Sequence, residues 1–179
     1  MKQTLNIYIS SILALSVLAF AAPAAQAGTS LNDETIYAIF DQANMADIST
    51  GRLGWKKGRS KEVRELARMV VSDHTAVQQM GRDLAKELGY VGTPPDNDSS
   101  VSSLAVDLAR LEALDGSAFD KAYLRHEVAF HSGVIAAIKG TLLPSIKNPK
   151  FKTLVQKVLP GFEHHLAETK RIAKKFNVQ

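Results

Sequence analysis

The chain contains no cysteine. That removes two readings at once: disulfide stapling, which needs pairs, and a lipid-anchored lipoprotein, which needs an acylated cysteine at its cleavage point. Charge of one sign is also scarce. Lys and Arg number 22 against 18 Asp and Glu, a formal net charge of +4. The one basic cluster, Lys170, Arg171, Lys174 and Lys175, falls where a last helical turn favours cations against its dipole. It reads as a solvated helix end, and no nucleic-acid partner is expected. No stretch of useful length alternates apolar and polar residues as a half-buried strand does. A glycine-rich phosphate loop, a Ser or Cys nucleophile constellation and a pair of glycosidase-type acids are all lacking. Gly51 and Gly54 are too sparse for a dinucleotide loop and read as points of close helix packing. An enzyme is not the expectation.

What is present begins with an export signal. Lys2 supplies a short positive start, residues 7–20 are mostly apolar, and Ala-Gln-Ala closes the segment at Ala27. The apolar core is too short to span a bilayer and has no charged flank behind it. The expected organisation is a cleaved signal peptide over residues 1–27 and a single helical-bundle domain over 28–179. The mature part would be a soluble periplasmic protein without a transmembrane segment or lipid anchor. Loss of Lys2 with the signal takes the formal charge from +4 to +3. A mature chain of about 150 residues can bury enough surface for one core.

Four long segments carry helical periodicity, with steps of three and four that place their members on one stripe. The first reads Ile36, Phe40, Ala43, Asp47, Thr50, Gly54, and the second Val63, Leu66, Val70, His74, Val77, Gly81, Leu84, Leu88. The third reads Leu124, Val128, His131, Ile135, Ile138, Leu142, and the fourth Phe151, Leu154 or Val155, Val158, Phe162, His165, Thr169, Ile172, Phe176. Ser60 is placed to cap the second helix and Gly89 to end it in a left-handed turn. Ser117 with Asp120 resembles a capping box for the third. Asn148-Pro149 opens the fourth, Pro144 closes the third, and Pro160 predicts a bend. The middle connector is long: a surface loop rich in Pro, Asp, Asn and Ser over residues 90–101, then a short amphipathic helix with Leu104, Leu108 and Leu111. A connector of that length can carry the chain back along the bundle. The fold class is therefore all-α, a ferritin-like four-helix bundle with a short extra helix in the long middle connection. Simple up-down connectivity is the alternative.

Each stripe holds one ionisable residue where Leu or Val would be expected: Asp47, His74, His131 and His165. At about 1.5 Å per residue, Asp47 and His74 lie roughly 18 and 22 Å from the turn near residue 59. His131 and His165 stand at comparable heights from the turn near residues 144–148, so all four fall near mid-bundle. An unpartnered buried polar group costs roughly 2–7 kcal/mol. Two arrangements satisfy such a set. A divalent transition metal (zinc, iron, copper or nickel) takes three imidazole nitrogens and one carboxylate oxygen. Otherwise the four hydrogen-bond one another without metal, Asp47 pairing a charged histidine. Asp73, Glu127 and Glu168 stand within one turn of seam histidines and are candidates to fix an imidazole's tautomer. His126 and His164 fall off the seam and are expected to face solvent. The residues three before the seam histidines are Val71, Val128 and Phe162, not Glu, so the Glu-x-x-His pattern of di-iron carboxylate centres is absent.

The same landmarks carry a resemblance. Asp47-Ile48 with Gly51-Arg52-Leu53, then Val63 leading to Met69-Val70 and Asp73-His74, are followed by Phe119-Asp120 with Tyr123, His131, Leu159-Pro160 and His165-Leu166. In order and spacing these resemble the exported bacterial family labelled domain of unknown function 4142, over roughly residues 34–175. That family is often called predicted outer membrane proteins and is placed among ferritin-like folds. The resemblance implies a ferritin-like four-helix bundle and brings no reaction with it. The family pattern usually has Glu where this chain has Asp47, whose arm is one methylene shorter. The outer-membrane label finds no counterpart here, since barrel strands and a lipid-attachment cysteine are both missing from the sequence. The expected function is a periplasmic metal-binding bundle serving metal handling or stress tolerance. The alternatives are a structural or interaction protein with a metal-free polar core, and an oxidoreductase using a single bound metal.

Overall fold

The computed structural model describes residues 31–178. The signal-peptide reading of residues 1–27 lies outside them. Six helices follow one another: α1 (Asp33–Lys57), α2 (Lys61–Leu88), α3 (Ser100–Glu112), α4 (Gly116–Ala137), α5 (Leu143–Ser145) and α6 (Pro149–Lys175), with a π-helical turn at Ile138–Leu142 between α4 and α5. No strand occurs among the described residues, and no described helix is long and apolar enough to cross a membrane.

The four long helices close a ring in which α1 packs on α2, α2 on α6, α6 on α4 and α4 on α1. Two carboxylates near helix starts fix the directions. Asp120, near the start of α4, accepts the Arg59 and Ser60 N–H groups at 2.8 and 2.9 Å, so α4 begins beside the α1–α2 turn. Asp33, at the start of α1, accepts the Lys147 and Asn148 N–H groups at 2.9 and 2.7 Å, so α1 begins where α6 begins. Ion pairs of Glu62 with Lys175 and Glu87 with Lys150 tie opposite ends of α2 and α6. The connectivity is up-down-down-up with one crossover, which decides against simple up-down topology. The crossover carries α3, which packs on α1 and touches α4.

The expected caps form at Ser60, whose hydroxyl accepts the Val63 N–H at 3.1 Å, and at Gly89, with φ of 72°. Asn148 accepts the N–H groups of Lys150 and Phe151. The capping box expected of Ser117 and Asp120 does not form. Helix α4 starts at Gly116 with Asp115 in the cap position and no side-chain cap bond, because two N–H donors of another turn engage Asp120. Pro144 lies in the last turn, beyond the π-helical widening, and α6 runs through Pro160 as one helix. Two apolar clusters fill the bundle. One, around Val63, Leu66, Phe119, Tyr123 and Ile172, lies toward the α1–α2 turn. The other, around Ile36, Phe40, Phe151 and Phe162, lies toward the opposite end. Small residues let them close up: the Phe40 ring lies against Gly81, where an added Cβ would come within 2.5 Å of it. The polar seam lies between the clusters.

Candidate metal centre

The four seam residues meet. Each comes from a different long helix: Asp47 from α1, His74 from α2, His131 from α4 and His165 from α6. All are shut from solvent, with exposures of 0, 2, 0 and 1%. Asp47 Oδ2 lies 2.8 Å from His74 Nε2 and 3.3 Å from His131 Nε2. His165 Nδ1 lies 3.3 Å from His74 Nε2.

The outward nitrogen of each ring has an acceptor of its own. Asn44 gives its amide N–H to the Phe40 carbonyl at 2.8 Å, which leaves its Oδ1 to accept from His74 Nδ1 at 2.9 Å. His131 Nδ1 donates to the Glu127 carbonyl at 3.1 Å, and His165 Nε2 to Asp73 Oδ2 at 3.0 Å. Such bonds decide which nitrogen carries the proton. Of the nitrogens left over, His74 Nε2 and His131 Nε2 lie beside Asp47, and His165 Nδ1 lies beside His74 Nε2. His74 Nε2 comes within 2.8 Å of Asp47 Oδ2, while Asp47 Oδ1 and His131 Nε2 have no hydrogen-bond partner among the described residues.

Electrostatics sharpen the arrangement. Burial alone would push the Asp47 carboxyl up, but the imidazoles, His74 foremost, outweigh it and hold the group below the usual carboxylate range. Burial pushes His131 down to about 4, against the pull of Asp47. Burial also lowers His165, opposed by Asp73. Glu127, with 0% exposure, is raised well above the carboxylate range, first by burial and then by the Asp47 charge. Its carboxyl is buried beside the Tyr123 hydroxyl, also fully buried. Ligand atoms of Asp47, Glu127 and His131 all lie within 4.8 Å of one another, as do those of the three histidines.

Of the residues expected around the seam, Asp73 and Glu127 reach it. Glu168 does not: its carboxylate lies on the surface, bonded to Arg171 at 3.0 Å. His164 is exposed as expected. His126, expected at the surface, is only 8% exposed, because α3 covers that side of α4 and brings Asp107 Oδ2 within 3.6 Å of its ring. Asn44 went unremarked in the sequence, although its place three residues before Asp47 puts it on the same stripe.

The donors suit a transition metal. A tetrahedron with metal–nitrogen bonds of 2.0–2.1 Å has edges of about 3.3 Å; two spacings here are 3.3 Å and the His74–Asp47 spacing is shorter, at 2.8 Å. Three imidazoles with preset tautomers and one carboxylate, buried and with no Lys or Arg paired to Asp47 among the described residues, form a borderline-soft ligand set. A family model described as domain of unknown function (DUF4142) matches residues 18–172. No curated protein and no solved structure matches the chain.

Proposed function

The chain belongs to the family of the domain of unknown function DUF4142, and we propose that it is a metal-binding bundle acting in the periplasm, in metal handling or stress tolerance. Asp47, His74, His131 and His165 hold one divalent transition-metal ion. The observation that carries the reading is the set of outward hydrogen bonds at Asn44, Glu127 and Asp73, which leave the inner nitrogens of three imidazoles clustered around the buried Asp47 carboxylate and one another. Three lone pairs and a negative charge packed in a core repel one another unless a cation lies among them. A divalent ion also offsets the two fully buried carboxylates, Asp47 and Glu127, when both are ionised. Zinc, copper, nickel and ferrous iron all accept this donor set.

A metal-free network is the second reading, favoured by the 2.8 Å contact of His74 with Asp47, which suits an imidazolium–carboxylate pair. A single-metal oxidoreductase is the third. It is favoured by a cavity of about 70 Å³ that reaches His74 among Ile36, Phe40, Val134 and Phe162, room for a small neutral molecule.

The deciding measurement is thermal unfolding with zinc, copper, nickel and ferrous iron, on wild type and His131→Ala. Metal binding stabilises only the folded chain, so at a hundredfold excess over Kd it adds about 2.7 kcal/mol. The melting temperature of the wild type should rise with at least one of the metals, and that of His131→Ala should not. If the wild type is unmoved by all four, or the variant responds equally, the metal reading fails.

A further inference from the structure

A cleft of about 680 Å³ lies between α4 and the C-terminal part of α6, away from the polar cluster. Its origin is legible in side-chain size and in one turn. Ala129 and Ser132 on α4 and Ala173 on α6 are small where larger residues would fill the groove. After α6 the backbone turns through Asn177, whose φ is 52°, and the Val178 N–H bonds back to the Ala173 carbonyl at 2.9 Å. That turn folds Val178 against the apolar cluster and into the wall of the cleft. Val128, Ala129, Ala173 and Val178 make its lining mostly apolar.

The rim is cationic. Arg125, Lys170 and Lys174 line the cleft, and no acidic residue does among the described residues. The neighbouring cations of α6 are neutralised, Arg171 by Glu168 and Lys175 by Glu62. Arg125, Lys170 and Lys174 have no carboxylate within ion-pairing distance among the described residues. The basic cluster seen in the sequence therefore divides by helix face: part of it is paired along the α2 side, and Lys170 and Lys174 turn with Arg125 to a recessed apolar floor.

We propose that this cleft binds a small amphiphilic anion, a carboxylate or phosphate head on an apolar chain. The head pairs with Lys170, Lys174 and Arg125, and the chain lies on Val128, Ala129, Ala173 and Val178. The volume lies in the range of small-molecule sites, roughly 300–1,000 Å³, and charge-assisted bonds to the rim add direction to the apolar contact. A free amphiphile fits better than a membrane surface because the apolar floor is recessed rather than protruding. The proposal does not depend on metal binding.

The test is calorimetric titration of the purified protein with sodium decanoate and with decyl phosphate, both below the concentration at which they form micelles. Decyl maltoside, an uncharged head on the same chain, and inorganic phosphate, a head without a chain, are the controls. Wild type should bind at least one of the two anionic amphiphiles saturably at one per chain, and both controls at least tenfold more weakly. Lys170→Gln combined with Lys174→Gln should weaken that binding at least tenfold. Lys56→Gln combined with Lys86→Gln, two lysines outside the cleft, should leave it unchanged. All four lysines are exposed, so circular dichroism should report folded protein throughout. The proposal is overturned if neither anionic amphiphile binds, if either control binds as tightly, or if the Lys170 and Lys174 variant binds as wild type does. Binding to phosphatidylglycerol vesicles but to neither monomeric amphiphile would also overturn it, and would make the face a membrane-contact surface.

Discussion

Among the residues of the seam, Glu127 is the one whose protonation should be felt in stability. In the metal-free protein its folded-state pKa is raised well above the ordinary value by burial and by Asp47. The folded state therefore keeps a proton that the unfolded chain releases. Stability from this group is complete below the unfolded value near 4.5 and is lost as pH rises toward the folded value. His131 works in the opposite sense. Its pKa falls from 6.5 to about 4 on folding, so its contribution is complete above 6.5 and is lost as pH falls toward 4. Glu127→Gln keeps the shape and removes the charge. With a chelator present, the variant should gain on the wild type as pH rises from 5 to 8, by up to about 1.4 kcal/mol per pH unit where Glu127 titrates. Zinc should abolish the difference in slope, because a cation beside Asp47 lets Glu127 ionise in the fold. Denaturant titrations across that pH range measure both effects, and parallel curves for the two metal-free proteins would contradict the assignment.

At the scale of the helices, turns are joined to distant helix starts by a pair of carboxylates that play the same part at opposite ends of the bundle. Asp120 holds the turn before α2 and Asp33 the turn before α6, each through two backbone N–H groups. Both turns also carry a capping side chain, Ser60 or Asn148, so the start of each of these two helices is fixed from within and from without. Asp120 is 1% exposed, and removing it strands two N–H donors at a helix start. Asp120→Ala should cost about 2–4 kcal/mol, from lost charge-assisted bonds and the unsatisfied donors left behind. Ser60→Ala, which loses one local cap, should cost about 1 kcal/mol. Urea unfolding of the two variants gives the comparison. Equal losses would mean that Asp120 acts only locally, as the capping box read from the sequence would have it.

For the whole molecule, the crossover is the segment least held by packing. Residues 93–99 are mostly exposed, and α3 beyond them buries only Leu111 fully. Limited proteolysis should cut first within residues 93–100 and leave two fragments that stay associated, since the α2–α6 and α4–α1 contacts do not involve the loop. Early cuts inside α2 or α6 would speak against the packing described. The four long helices, the caps at Ser60, Gly89 and Asn148, and the anomaly of Asp47, His74, His131 and His165 were all legible in the chain, because each depends on local spacing along one helix. Glu127 was visible as a neighbour one turn from His131, but its full burial was not. What spacing cannot contain is which helix lies beside which. The choice of crossover connectivity, the burial of His126 under α3, the use of Asp120 by a turn some sixty residues earlier and the surface pairing of Glu168 with Arg171 were decided by contacts between distant parts of the chain. The sequence by itself determined that four polar side chains would stand at one height. Only the packed bundle decided which nitrogen of each histidine faces inward, because the acceptors that orient His74 and His165 lie on α1 and α2, across helix interfaces that no single stripe records.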